Sequence, residues 1–79
     1  MNTSSQDDMI HQVEHYRAAL ANYEMIKQAI NDLLSFHDGS PDTMTPEDHA
    51  HYRDLARQRD EALHEVRYLE QLLLDDNVQ

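Results

Sequence analysis

Six histidines stand among 79 residues, accompanied by sixteen aspartates and glutamates. Imidazole nitrogens and carboxylate oxygens are the ordinary ligands of zinc, nickel and calcium, so metal chemistry is the first possibility to weigh. His11 and His15 are four apart, which on a helix sets both rings on one face, where two nitrogens could grip one ion. In a folded-back hairpin their opposites are Leu72 and Tyr68, which are not ligands. Glu14 lies on an adjacent face, and Glu65 or Glu70 would have to reach round. The pair reads as an incidental chelate, and the sequence implies neither a metal site nor a cofactor.

The stretch DGSPDTMTPEDH at 38–49 places Asp38, Ser40 and Asp42 at alternate positions, as a calcium loop does. A loop of the EF-hand type needs glycine at its sixth position and glutamate at its twelfth. Counting from Asp38, those positions hold Thr43 and His49, and Pro41 stiffens the middle. The segment therefore reads as a turn. His37 and His49 flank it with Asp48 nearby, and all read as solvated polar residues. Histidine titration near pH 6.5 gives any association of the chain a route to pH dependence.

Catalytic patterns are weaker. There is no cysteine, no glycine-rich phosphate cradle and no serine set beside a histidine and an acid. Glu61 and His64 form one Glu-x-x-His step, the arrangement of di-iron bundles, but such sites need two of these steps and further inward glutamates. Glu61 neighbours the apolar positions Ala62 and Leu63, so it is expected to face outward. The chain reads as non-enzymatic.

The elements that carry these residues are set by punctuation and period. Gly39, Pro41 and Pro46 fall within eight residues and divide the chain into two uninterrupted halves. In the first half Val13, Tyr16, Leu20, Tyr23, Ile26, Ile30, Leu33 and Leu34 recur at steps of mostly three and four, the signature of an amphipathic helix. The second half repeats this through Tyr52, Leu55, Arg59, Ala62, Val66, Leu69 and Leu73, with Leu63 and Leu72 widening the face. No alternating strand pattern occurs. Ser5 followed by Asp8 resembles a cap for a helix over about 6–37, and Gly39 suits the left-handed position after its end. Thr45, Pro46, Glu47 and Asp48 start a second helix over about 46–74, with a turn over about 38–45. Residues 1–4 and 76–79 are expected to fray.

A connection of about eight residues folds the helices back as an antiparallel hairpin, the single domain of residues 1–79. With the turn centred near residue 41 or 42, facing residue numbers should sum to about 83. Leu20 then meets Leu63, Tyr16 meets Val66, Val13 meets Leu69, and Ile30 lies near Tyr52. Glu24 is expected to partner Arg59 in the seam. One neighbour cannot cover so wide an apolar face, and soluble monomers seldom leave several hundred Å² of it bare. The all-α hairpin is therefore expected to pair as a homodimeric four-helix bundle with coiled-coil-like seams. The expected interface is Val13, Tyr16, Leu20, Tyr23, Ile26, Ile30, Leu33, Leu34, Tyr52, Leu55, Leu63, Val66, Leu69 and Leu73.

Net charge is −10, with six lysines and arginines against the sixteen acids. Such a surface repels nucleic-acid phosphates and anionic membranes, which argues against direct contact with either. It fits a basic protein partner, steered by Asp54, Asp60, Glu61 and Glu65, or an inhibitor that imitates nucleic acid. Without cysteine, a basic-then-apolar leader or a long apolar run, a cytoplasmic location is expected.

The segment HYRAALANYEMI and the later LARQRDEALHEVRYLEQLL carry a resemblance across roughly residues 14–73. They resemble the helical region preceding the DNA-binding domain in HigA-like antitoxins and related helix-turn-helix regulators. The matching positions are Tyr16, Ala18, Ala19 and Leu20, then Tyr68, Glu70 and Leu72. No basic recognition helix accompanies them, so the resemblance implies a bacterial or phage association module of regulator or antitoxin type, not DNA binding.

Overall fold

The computed structural model describes residues 3–39 and 41–77, with side chains described for residues 8–39 and 42–74. Two helices, α1 (Thr3–Phe36) and α2 (Pro46–Asn77), run antiparallel along a rod of 59 × 17 × 17 Å. A single 3-10 turn at Pro41–Thr43 sits in the connection. The chain is an all-α helical hairpin, with no strand among the described residues. No described helix is long and apolar enough to cross a membrane.

The helix ends depart from expectation in informative ways. α1 begins at Thr3, so Ser5 lies inside the helix and not at its expected start. Its other end closes by two backbone bonds: Gly39 N–H donates to the Leu34 carbonyl at 2.6 Å and Asp38 N–H to the Ser35 carbonyl at 3.3 Å. This is the Schellman arrangement, and its left-handed residue is Asp38 (φ 58°), with Gly39 following at φ 79°. Glycine was expected there. Aspartate is one of the few other residues that tolerates that conformation. α2 starts as its residues predict: Thr45 Oγ1 accepts from the Asp48 N–H at 3.2 Å, and Pro46 takes the first helical position. It continues to Asn77, past the expected end at 74, because neither glycine nor proline interrupts it. Of the ends expected to fray, residues 1, 2, 78 and 79 lie outside the described residues, while 3, 4, 76 and 77 are helical.

The core is thin. Ile30, Leu55, Ala62, Val66 and Leu69 are buried, and no described side chain is sealed completely. Around them Tyr16, Tyr23, Ile26, Leu33, Tyr52 and Leu73 are half-buried along the same seam. Polar pairs that cross the hairpin among the described residues include His15–Glu65, Tyr16–Glu70 and, just past the end of α1, His37–Asp48. Their residue numbers sum to 80, 86 and 85, bracketing the expected 83. The expected pairing of Glu24 with Arg59 does not form. Glu24 meets Lys27 at 3.4 Å one turn along its own helix, and Arg59 meets the adjacent Asp60 at 3.4 Å. Local partners win because they need no long side chain held rigid across the seam.

His37 corrects a second expectation. It is not a solvated residue: its side chain is only 10% exposed, with Nε2 2.9 Å from Asp48 Oδ2. Thr43 Oγ1 donates to the His37 carbonyl at 3.2 Å, which fastens the connection to the same point.

Candidate interaction face

The side chains with chemistry divide between the two sides of the rod. Seam residues follow the 3–4 spacing Tyr16, Ala19, Tyr23, Ile26, Ile30, Leu33 on α1, continued by His37 just past its end, and Tyr52, Leu55, Arg59, Ala62, Val66, Leu69, Leu73 on α2. Columns seven apart flank each seam, and antiparallel helices bring matching columns to the same side. On one side run His15, Asn22 and Ala29 beside Gln58 and Glu65. There His15 Nε2 lies 3.6 Å from Glu65 Oε1, and Asn22, Ile26, Gln58, Glu61, Ala62 and Glu65 line one shallow hollow. That side is polar.

The opposite side carries Val13, Leu20, Lys27 and Leu34 from α1 beside Ala56, Leu63 and Glu70 from α2. It is apolar along most of its length, and its polar groups are organised. Tyr16 donates its hydroxyl to Glu70 Oε2 at 2.9 Å, and the two share a hollow with Leu73 and Leu74. That hydrogen bond to a carboxylate, then desolvation and the like charge, raises the Tyr16 pKa above 10.0. Lys27 Nζ lies 4.8 Å from the centre of the Tyr23 ring and lines a second hollow with Ile30, Asn31 and Arg59. Toward the open end Met9, Ile10, Val13, Glu14 and Arg17 form a third.

Of the fourteen residues expected at an interface, Ile30, Leu55, Val66 and Leu69 are used up by the hairpin's own seam. The other ten, Val13, Tyr16, Leu20, Tyr23, Ile26, Leu33, Leu34, Tyr52, Leu63 and Leu73, keep part of their surface open. Sequence spacing missed Met9 and Ile10, which are about half exposed, although Met9 continues the run of Tyr16 and Tyr23 at intervals of seven. It also missed His37, which continues Ile30 by the same interval. Phe36 is 83% exposed on the polar side.

The carboxylates expected to steer a partner lie on the outside of α2. Arg57 binds both Asp54 and Glu61, Gln58 donates to Asp54 at 2.7 Å, and Asp60 meets Arg59. The bonds from Arg57 and Gln58 hold the Asp54 carboxyl below its usual range, and its two carboxylate partners raise the Arg57 guanidinium. Glu65 faces His15. Glu61 is exposed, as expected of it, and His64 is exposed as well. Among the described residues no three histidine or carboxylate side chains converge as a metal cage. The chain matches no protein-family model, no curated protein and no solved structure.

Proposed function

We propose that this chain is a small acidic association module, without catalytic activity of its own, that pairs through the apolar side of its hairpin. The observation that supports this is the half-exposed column Val13, Leu20, Leu34 and Leu63 beside a core of five buried side chains among the described residues. A two-helix rod of this size buries too little to be robust alone, and covering that column is the economical remedy. Two hairpins would form a four-helix bundle with a polar outside. The net charge of −10 then suits the bundle to a basic protein partner in a cytoplasmic setting, the role that regulator- and antitoxin-type modules fill. The nucleic-acid mimic is less well served. Arg53, Arg57, Arg59 and Arg67 interrupt the carboxylates of α2, and three of the four steering acids are already bound to arginine.

Light scattering across a hundredfold range of concentration tests the reading. The expected mass is twice 9.3 kDa. Leu63→Asp or Leu20→Asp should reduce it to one chain, since each places a charge where the second hairpin must sit. Circular dichroism of the same samples shows whether helix survives. A wild-type mass of one chain with full helix and an unchanged melting temperature in both variants would overturn the proposal.

A further inference from the structure

Resting on that reading, we infer that the occupant of the apolar side is a second copy laid antiparallel, its turn at the opposite end, about a two-fold axis crossing the rod at Leu20 and Leu63. The side is large enough: 59 Å by 17 Å offers on the order of 1,000 Å² per copy, against ~800 Å² per partner in a standard interface.

Charge selects the orientation. Leu20 and Leu63 stand level near the middle of the rod, because cross-helix partners bracket a residue sum of 83. Two exposed charges border each leucine: Arg17 and Glu24 on α1, Asp60 and Arg67 on α2. All four lie on the outer rim of the apolar side, three or four residues from the axis, or about 5–6 Å at 1.5 Å per residue. If the copies lay parallel, each α1 would rest on the other copy's α2 at the same level. Arg17 would then meet Arg67, and Glu24 would meet Asp60. Like charges would oppose one another at every rim position.

The antiparallel axis reverses this. It lays α1 on α1 and α2 on α2, so Arg17 of one copy meets Glu24 of the other, and Asp60 meets Arg67. All four rim contacts then join opposite charges. The same rotation sets Leu20 on Leu20 and Leu63 on Leu63, and it moves Lys27 to the end that holds the second copy's Glu70. Apolar surface gives the pair its affinity, and these charges choose between orientations that bury similar area.

The chain has no cysteine, so a single engineered one reports cleanly. Glu47→Cys, exposed in the first turn of α2, would carry a spin label. In a sample whose mass is two chains, the expected label separation is roughly 45–55 Å, since each label lies about 24 Å from the axis at Leu63 at 1.5 Å per residue, toward opposite ends of the rod. A separation under roughly 25 Å would overturn the orientation while leaving the dimer intact. A mass of one chain would overturn the dimer itself and the inference with it. Glu24→Arg gives an independent reading of opposite sign. It should weaken the antiparallel dimer roughly tenfold at low salt, and Arg17→Glu in the same chain should restore it. Tighter pairing by Glu24→Arg alone would mean that it faces Asp60, as in the parallel arrangement.

Discussion

Nε2 of His37 lies 2.9 Å from Oδ2 of Asp48, joining the end of α1 to the first turn of α2 across the loop that Thr43 also ties to the His37 carbonyl. Asp48 occupies the third helical position, where an acid can reach back to its own cap. Here its carboxylate accepts from the histidine instead, while its backbone N–H still donates to Thr45. One residue therefore both starts α2 and ties it to α1.

His37→Ala and Asp48→Ala should each destabilise the hairpin by about 1–2 kcal/mol, the loss of a hydrogen bond to a charged group from a shielded site. Because both remove the same bond, the double variant should fall short of the sum by about 1 kcal/mol. Urea unfolding followed by helix content measures this. Full additivity would show that the bond contributes nothing.

Two adjacent residues with positive φ make the turn adjustable. Asp38 at φ 58° occupies the position where a Cβ is disfavoured, so Asp38→Gly should stabilise the hairpin by about 0.5–1 kcal/mol. Gly39→Ala should destabilise it by about 1 kcal/mol. Nothing lies within 4 Å of the added Cβ, so the cost is backbone strain alone. Opposite shifts in melting temperature for neighbouring substitutions are the expected result.

Most of the hairpin was legible because its signals are local. Proline and glycine confined to eight residues, a capping threonine and a 3–4 apolar period need no tertiary information. Leu55, Ala62, Val66 and Leu69 followed from that period. His37, Asp48 and Gln12 did not, because each lies beyond the last apolar member of its stripe, where a polar type gives no sign that the stripe continues. Continuing the interval of seven from Ile30 reaches His37, and stepping four back from Tyr16 reaches Gln12. The pairing of Glu24 with Arg59 failed for a different reason. Arg59 lies in the seam of α2 while Glu24 stands on the outer rim of α1, so each meets its own neighbour, Asp60 and Lys27.

The Tyr16–Glu70 bond makes stability sensitive to alkali. Folding raises the Tyr16 pKa above 10.0, so the folded state favours the protonated phenol. That contribution is complete below pH 10 and is lost as pH rises through the higher folded value. Near-ultraviolet titration should show Tyr16 ionising later in the wild type than in Glu70→Gln. Glu70→Gln should also flatten the alkaline fall in melting temperature. If the two titration curves coincide, the bond is not held in solution.

Gln12 is the polar member of the α1 seam near the open end, and its Oε1 is buried without a hydrogen-bond partner. A shielded acceptor left unpaired costs about 1–3 kcal/mol relative to one in water. Gln12→Leu shortens the side chain by one atom, removes both polar atoms and adds apolar surface where α2 can cover it. It should raise stability by about 1 kcal/mol, read as a higher urea midpoint with an unchanged slope. Gln12→Glu should lower stability by more than that, because an unpaired charge is harder to shield than an amide. If Gln12→Leu gave no gain while Gln12→Glu gave no loss, that end of the seam would be wet, and Oε1 would find its partner in water.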